Sequence, residues 1–208
     1  MIAIVDYGLG NLRSAQKGLE KAGAHAVVTD NPVRIAAADA VVLPGVGAFK
    51  DCYDGLASRG LVGPVTEAAN SGRPFLGICV GLQLLFESSE EGEGSRGLGI
   101  FPGRVVRFPD LRRAGLKVPH MGWNRVTRTG QDCPLLPNGD APYAYFVHSY
   151  YAQPSDARLV LATAEHGVSF PAIVGRDNVF AVQFHPEKSQ EAGIALLRAF
   201  ARLAEGGT

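Results

Sequence analysis

The sequence predicts an α/β protein, a three-layer sandwich with a mostly parallel central sheet and additional antiparallel strands in the second half. Short apolar runs alternate with helical periodicity over residues 2–86, as expected of strand–helix–strand units with right-handed crossovers. These runs contain few polar residues, which is typical of parallel strands buried on both faces. From residue 103 onward, proline and glycine turns separate short strand-like runs, which favours antiparallel pairing.

The first strand, predicted at 2–7, leads through a glycine turn into a helix. The apolar residues of that helix recur on one face, namely Leu12, Ala15, Leu19 and Ala22. Asn11 stands just before them and is expected to cap the helix. The turn is not a dinucleotide-binding fingerprint, because Arg13 occupies the position of its third glycine.

The same alternation continues towards the middle of the chain. The next predicted elements are strands at 25–30 and 40–43 and helices at 51–58 and 64–71. Asp30–Pro32 is expected to form a turn after the second strand, and the third strand ends in the glycine turn 44–47. Because active sites of parallel sheets lie beyond the carboxyl ends of the strands, the turn at 44–47 is a candidate part of such a site.

The motif around which the chain is organised joins a strand at 75–78 to a helix at 82–86 through Cys79. Gly77 and Gly81 flank the cysteine at the spacing of a nucleophile elbow. At such a turn the thiol would be exposed at a helix N-terminus, where the positive end of the helix dipole favours the thiolate. Cys79 is therefore a candidate nucleophile.

The second half is predicted to begin with a polar, glycine-rich surface loop at 88–99. Short strands follow at 103–108, 123–128, 143–151, 158–165, 168–174 and 178–184. A final helix at 189–205 has its apolar residues on one face, and Ser189 is expected to cap it.

Length and composition limit the functions that the chain can have. A chain of 208 residues fits a single domain spanning 1–208 and is long enough to bury a substantial core. Its 20 basic and 20 acidic residues balance, so we expect neither nucleic acid nor a membrane as a partner. We find no basic signal region and no apolar run near the roughly 20 residues of a membrane span, which predicts a cytoplasmic protein.

The three cysteines lie far apart in the sequence and form no CxxC pair. This spacing disfavours a disulfide framework and a structural zinc site, so neither a metal nor a cofactor is predicted. Cys52 and Cys133 have no flanking glycines and are predicted to have no part in catalysis.

A thiolate nucleophile needs a base, and the base needs a partner that fixes its tautomer. Of the five histidines, only His185 has a carboxylate two residues away, in the run His185-Pro186-Glu187. The proline holds its predecessor extended, so residues two apart project from the same side and Glu187 can reach the imidazole. An HxE pair also occurs in zinc nucleobase deaminases, but these require a downstream PCxxC that this sequence lacks.

Together these motifs resemble the class I, triad-type glutamine amidotransferases. The GxCxGxQ elbow of that family matches Gly77, Cys79, Gly81 and Gln83, and its HPE motif matches residues 185–187. Within the family, five segments are similar to the glutaminase subunits of imidazole glycerol phosphate synthase: DYGLGN (6–11), PGVGAF (44–49), KVPHMGWN (117–124), YFVHSY (145–150) and HPEKSQ (185–190). The resemblance spans nearly the whole chain and implies a flavodoxin-like fold.

The resemblance implies that the chain hydrolyses L-glutamine to glutamate and ammonia through a thioester. The catalytic residues would be Cys79, His185 and Glu187, the oxyanion donors the backbone N–H groups of Val46 and Val80, and the substrate-binding residues Gly47 and Gln83. The ammonia would pass to a (β/α)₈ cyclase subunit in a heterodimer, for imidazole glycerol phosphate and aminoimidazole carboxamide ribotide formation in histidine biosynthesis. Asn11, Trp123 and Lys188 would lie at that interface.

Two other functions remain open at this stage. The first is the same glutaminase chemistry in another synthase, such as pyridoxal 5′-phosphate synthase, which the segments at 44–49 and 185–190 disfavour. The second is a flavodoxin-like protein that binds a partner without catalysis. The presence of Cys79, His185 and Glu187 together disfavours that second function.

Overall fold

Strands and helices alternate through the first half of the chain in a computed structural model that describes residues 1–92, 94–136 and 142–206. Residue 93 of the predicted surface loop lies outside this description. In chain order the elements are β1 (Ile2–Val5), α1 (Leu12–Lys21), β2 (Ala26–Thr29), α2 (Pro32–Ala37), β3 (Ala40–Gly45), α3 (Phe49–Ser58), α4 (Val62–Asn70), β4 (Phe75–Cys79) and α5 (Val80–Leu84). The predicted order of strands and helices is thus confirmed, with α2 added.

The second half consists mainly of short strands and ends in a long helix. Its elements are β5 (Ser88–Ser89), β6 (Gly103–Arg107), β7 (His120–Arg125), β8 (Thr127–Arg128), β9 (Tyr143–His148), β10 (Tyr150–Pro154), β11 (Val160–Glu165), β12 (Ser169–Arg176), β13 (Val179–Val182) and α6 (Gln190–Ala204). Among the described residues, no helix is long and apolar enough to cross a membrane.

The main sheet of the described chain has eight strands in the order β2-β1-β3-β4-β13-β12-β11-β8. Strands β2, β1, β3, β4 and β13 run parallel to one another, and β12, β11 and β8 continue the sheet from β13 with antiparallel pairing. All residues of β1, β3, β4 and β13 are buried, as parallel strands between two helical layers require. This arrangement confirms the predicted fold class.

The single strand predicted at 143–151 is wrong, because the chain changes sheets at Ser149. Strand β9 pairs antiparallel with β7, whereas β10 pairs antiparallel with β6 in a separate three-stranded sheet. The run is mostly apolar and aromatic, interrupted only by His148 and Ser149, so its pattern still favours one continuous strand. The run is divided because its two halves pair with different strands of the folded chain.

The turn predicted at Asp30–Pro32 is instead the start of helix α2. The Asn31 side chain accepts hydrogen bonds from the backbone N–H groups of Val33, at 2.9 Å, and Arg34, at 3.4 Å. Pro32 occupies the first helical position, where its missing N–H leaves no hydrogen bond unmade. Asn31 and Pro32 together are an N-terminal helix signal rather than a turn.

The register of two central strands brings the two candidate turns together. Strands β3 and β4 are adjacent and parallel, and Gly45 at the end of β3 is the register partner of Cys79 at the end of β4. The glycine turn at 44–47 and the cysteine therefore lie side by side at the carboxyl edge of the sheet, where α/β proteins place their active sites.

Candidate active site

Cys79 sits on a strained turn between strand and helix. It is the last residue of β4 and the N-cap of α5, with φ 57° and ψ −111°. A residue other than glycine adopts this conformation only where the surrounding structure enforces it. The predicted strand, sharp turn and helix are therefore present. The predicted exposure of the thiol is wrong, because Cys79 is only 4% exposed and lies at the base of a cavity.

The two glycines that flank Cys79 allow backbones to approach closely. A Cβ on Gly81 would lie 1.9 Å from the carbonyl oxygen of Leu43 in β3, and a Cβ on Gly77 would lie 2.8 Å from the carbonyl oxygen of Gly81. Any larger residue would thus push α5 away from the sheet. The glycines hold the start of α5 directly over the ends of β3 and β4.

His185 and Glu187 form a buried pair beside the cysteine. The Nδ1–H of His185 donates a hydrogen bond of 2.8 Å to Oε1 of Glu187, and their side chains are 3% and 2% exposed. His185 has an extended backbone before Pro186, as predicted. Because Nδ1 is hydrogen-bonded to the carboxylate, Nε2 is the ring nitrogen that can exchange a proton with Cys79. Among the described residues, Oε2 of Glu187 has no hydrogen-bond partner.

Burial and contacts act in opposite directions on the pKa of His185. Burial lowers it, but interactions with Cys79 and Glu187 together outweigh burial and raise the pKa to about 9. The imidazole is therefore protonated at neutral pH. A protonated imidazole beside Cys79 can act as a general acid next to a nucleophilic cysteine.

A cavity of about 440 Å³ opens above the cysteine. It brings together most of the residues singled out in the sequence, namely Asn11, Val46, Gly47, Cys79, Val80, Gln83, His185 and Lys188. Glu187 lies behind His185. Two donors of the predicted oxyanion hole, Val46 and Val80, thus come from the ends of adjacent strands.

Trp123 does not line this cavity. It lies on β7, is 47% exposed and is the register partner of Tyr145 on β9. Farther along β9, Val147 and His148 reach the cavity wall. A core position for Trp123 is excluded by this exposure, and its place at a partner interface stays a prediction.

The predictions that Asn11 and Ser189 cap helices with their side chains are both wrong. Asn11 is the N-cap residue of α1, but its side chain makes no capping bond. The Ser189 hydroxyl donates to the carbonyl of His185, at 2.7 Å, and accepts from the backbone N–H of Tyr145, at 3.0 Å. Ser189 therefore ties the histidine segment to β9 instead of capping α6.

Gln183 is a buried residue of the site that the sequence analysis missed. Its Nε2 lies 3.9 Å from Sγ of Cys79, and its Oε1 accepts a 3.2 Å hydrogen bond from Nε2 of Gln83. Gln83 also donates to the carbonyl of Tyr150 at 3.0 Å. With its amide N–H groups engaged, Gln83 retains its carbonyl oxygen for a ligand. Gln183, fully buried just after β13, falls within an apolar run predicted as a strand, and a buried amide there could have drawn attention since it must be hydrogen-bonded.

Glu91 is a second residue that the sequence analysis passed over, as part of the predicted surface loop. Its Oε2 accepts a 2.8 Å hydrogen bond from the backbone N–H of Phe49, at the start of α3, and the residue lines the cavity. The loop thus contributes one wall of the site and fixes the helix that follows the 44–47 turn.

The described residues contain no group of three or more histidine, cysteine, aspartate or glutamate side chains placed to hold a metal ion. The chemistry that the geometry supports uses the protein groups themselves. A nucleophilic thiol, a histidine oriented by a carboxylate and backbone N–H groups across a cavity are the parts required for acyl transfer through a thioester.

Comparison with known proteins identifies relatives over nearly the whole chain. Residues 3–203 match the family model described as glutamine amidotransferase class-I. The chain is 57% identical to imidazole glycerol phosphate synthase subunit HisH of Syntrophotalea carbinolica, over 96% of this chain and 98% of that protein. Identity to the subunit of the same name is 57% in Synechococcus elongatus, over 96% and 91%, and 53% in Salinibacter ruber, over 98% and 94%.

Solved structures share the fold at much lower sequence identity. The crystal structure of a glutamine amidotransferase superposes with a TM-score of 0.76 at 20% identity, covering 99% of this chain and all (100%) of that one. The PurLQS structure from Thermotoga maritima matches with a TM-score of 0.71 at 21% identity, covering 99% and 97%. These two likenesses concern the arrangement of strands and helices only.

Proposed function

This chain belongs to the class-I glutamine amidotransferase family, and from that premise we propose that it is the glutaminase subunit of imidazole glycerol phosphate synthase. The observation that carries the proposal is the joint placement of a strained Cys79 at a helix N-terminus and a buried His185–Glu187 pair beside it. The names of relatives at 53–57% identity support the choice of synthase.

The reaction begins with attack of the Cys79 thiolate on the side-chain amide carbon of L-glutamine. The C–S bond forms and the carbonyl oxygen becomes an oxyanion. The N–H of Val80 is suited to stabilise it, because the first N–H groups of a helix have no intrahelical partner. Val46, on the neighbouring turn at the end of β3, supplies the second donor.

The imidazolium of His185 gives its proton to the departing nitrogen, which leaves as ammonia. This step breaks the C–N bond and leaves a γ-glutamyl thioester on Cys79. Neutral His185 then takes a proton from water, which attacks the thioester and releases glutamate and the thiolate. Glu187 keeps the ring in one tautomer throughout, and Gly47 and Gln83 hold the substrate.

Ammonia is a product that a synthase must consume before it diffuses away. We assign its use to a cyclase subunit of (β/α)₈ fold that forms a heterodimer with this chain and makes imidazole glycerol phosphate and aminoimidazole carboxamide ribotide. Asn11 and Lys188 line the cavity, and exposed Trp123 extends that surface along β7. These three residues are our candidates for the interface.

The test is a glutamine hydrolysis assay of the purified chain, alone and with the cyclase subunit and its ribotide ligand. We expect the cyclase to stimulate hydrolysis, and we expect Cys79→Ser to abolish it while the complex still forms. The synthase subunit of pyridoxal 5′-phosphate synthase serves as the control partner and should give no stimulation. Hydrolysis by Cys79→Ser at the unmodified rate would overturn the mechanism, and stimulation by the control partner alone would overturn the choice of synthase.

A further inference from the structure

Two buried side chains outside the cavity lining form hydrogen bonds to the glycine turn. The hydroxyl of Tyr7, just after β1, donates a 2.7 Å hydrogen bond to the carbonyl oxygen of Pro44. The thiol of Cys52, in α3, lies 3.3 Å from the carbonyl oxygen of Val46 and donates to it. Both side chains are completely buried. Neither has a role in the proposed chemistry.

These contacts fix the two outer peptide groups of the turn. A trans peptide is planar, so holding its carbonyl also sets the direction of the following N–H. Tyr7 fixes the Pro44–Gly45 peptide, and Cys52 fixes the Val46–Gly47 peptide. The intervening Gly45–Val46 peptide carries the N–H of Val46, the proposed oxyanion donor.

The space around Gly45 confines this peptide further. A Cβ on Gly45 would lie 2.7 Å from the backbone nitrogen of Gly81 and 3.0 Å from the Tyr7 hydroxyl. Gly47 has φ +91°, a conformation that glycine adopts without strain, and this lets the chain turn from the fixed peptide into α3. The turn is thus tightly packed at its start and bent sharply at its end.

We propose that Cys52 and Tyr7 are positioning residues of the oxyanion turn, which hold its two outer peptides and thereby orient the peptide between them that bears the Val46 N–H. The inference rests on the proposed glutaminase function. In this role buried Cys52, which lies outside the catalytic triad, sets the direction from which the Val46 N–H meets the substrate.

Both groups are suited to lasting donor roles. Burial raises the pKa of the Cys52 thiol to about 11, so that it remains protonated and able to donate at neutral pH. Burial likewise raises the pKa of Tyr7.

The experiment compares Cys52→Ala with Cys52→Ser in the complex with the cyclase and its ligand. We expect Cys52→Ala to lower kcat for glutamine hydrolysis about tenfold with little change in KM, less than the loss of about 10²–10³ on removing an oxyanion donor outright. Cys52→Ser should recover most of the rate, because a hydroxyl can donate to the same carbonyl. The rate of Cys79 alkylation by iodoacetamide, which needs no oxyanion donor, should not change.

Two further variants separate positioning from general loss of packing. Cys133→Ala removes another buried thiol, 1% exposed, and should lower stability without lowering kcat. Tyr7→Phe removes only the hydroxyl and should lower kcat as Cys52→Ala does. If Cys52→Ala fails to fold, the kcat of Tyr7→Phe tests the inference in its place.

The inference is overturned if Cys52→Ala and Tyr7→Phe both hydrolyse glutamine at the unmodified kcat, or if Cys52→Ser is as impaired as Cys52→Ala. If the proposed function is wrong, the unmodified complex itself will not hydrolyse glutamine, and this result differs from those that overturn the inference. A fall in Cys79 alkylation in step with kcat would show that the variants damage the nucleophile rather than the oxyanion turn.

Discussion

The imidazole of His185 and the carboxylate of Glu187 share a 2.8 Å hydrogen bond in a site that excludes nearly all solvent from both side chains. Glu187 is one of two partners that raise the pKa of His185 to about 9 against the effect of burial. We therefore expect kcat/KM for glutamine to fall as pH rises through about 9, because the proton for departing ammonia is then lost. In Glu187→Gln this alkaline limb should move to lower pH. A pH–rate profile with an unmoved limb would contradict the role given to Glu187.

The same pair makes stability depend on pH. The pKa of His185 is higher in the folded chain than the value of about 6.5 expected when unfolded. Its stabilising contribution is therefore complete below pH of about 6.5 and disappears as pH rises through about 9. Urea unfolding across this range should show a decline in the free energy of unfolding that is smaller in Glu187→Gln. An equal decline in both proteins would assign the pH dependence to other groups.

Backbone strain at Cys79 predicts an unusual order of stability among substitutions there. Its φ of 57° is unfavourable for any residue with a Cβ. Cys79→Gly should therefore unfold with a free energy about 1 kcal/mol higher than Cys79→Ala, the reverse of the usual order in regular structure. Both variants should be inactive. If Cys79→Ala is the more stable of the two in chemical unfolding, the turn is not strained.

The close approach of α5 to β3 predicts that Gly81 tolerates no side chain. Gly81→Ala would place a Cβ 1.9 Å from the Leu43 carbonyl oxygen and should destabilise the fold by about 3 kcal/mol. Gly63 in α4 is the matched control, since a Cβ there meets nothing within 4 Å. Gly63→Ala should change stability by less than about 1 kcal/mol, because the added Cβ meets open space while the following Pro64 disfavours a side chain there. Thermal unfolding of both variants measures the contrast, and equal effects would refute the packing argument.

The proposed interface is tested by substitutions that leave the triad in place. Trp123→Ala and Lys188→Ala should weaken cyclase binding or its stimulation of hydrolysis more than they lower stability, because both side chains are exposed. Val33→Ala is the control, since Val33 is 74% exposed on α2 and does not line the cavity. A titration in which all three variants bind and respond to the cyclase alike would remove this surface from the proposal.

The sequence predicts the centre of the site well because its constraints are local. Gly77, Cys79 and Gly81 lie within five residues, and their spacing alone indicates the elbow whose geometry the structure contains. His185 and Glu187 are also set by a local rule, the effect of proline on its predecessor. The catalytic roles of these residues remain predictions, as do those of the oxyanion and substrate residues.

Residues that act across the fold escaped prediction for a common physical reason. Gln183 lies within an apolar strand run, Glu91 within a polar loop and Cys52 within a helix, so the local pattern of each indicates an ordinary element. Their importance comes from contacts with partners 104, 42 and 6 positions away, at Cys79, Phe49 and Val46 respectively. The division of residues 143–151 between two sheets has the same origin.

The register pairing of Gly45 with Cys79 has a consequence for how the chain can change in length. A one-residue insertion or deletion within β3 or β4 would invert the alternation of side chains and offset the pair by about 3.3 Å. Connections that leave this register intact can vary in length, because each doubling of a flexible loop adds only about 0.6 kcal/mol. Insertions and deletions should therefore be absent from these two strands in functional homologues and confined to connections away from the cavity.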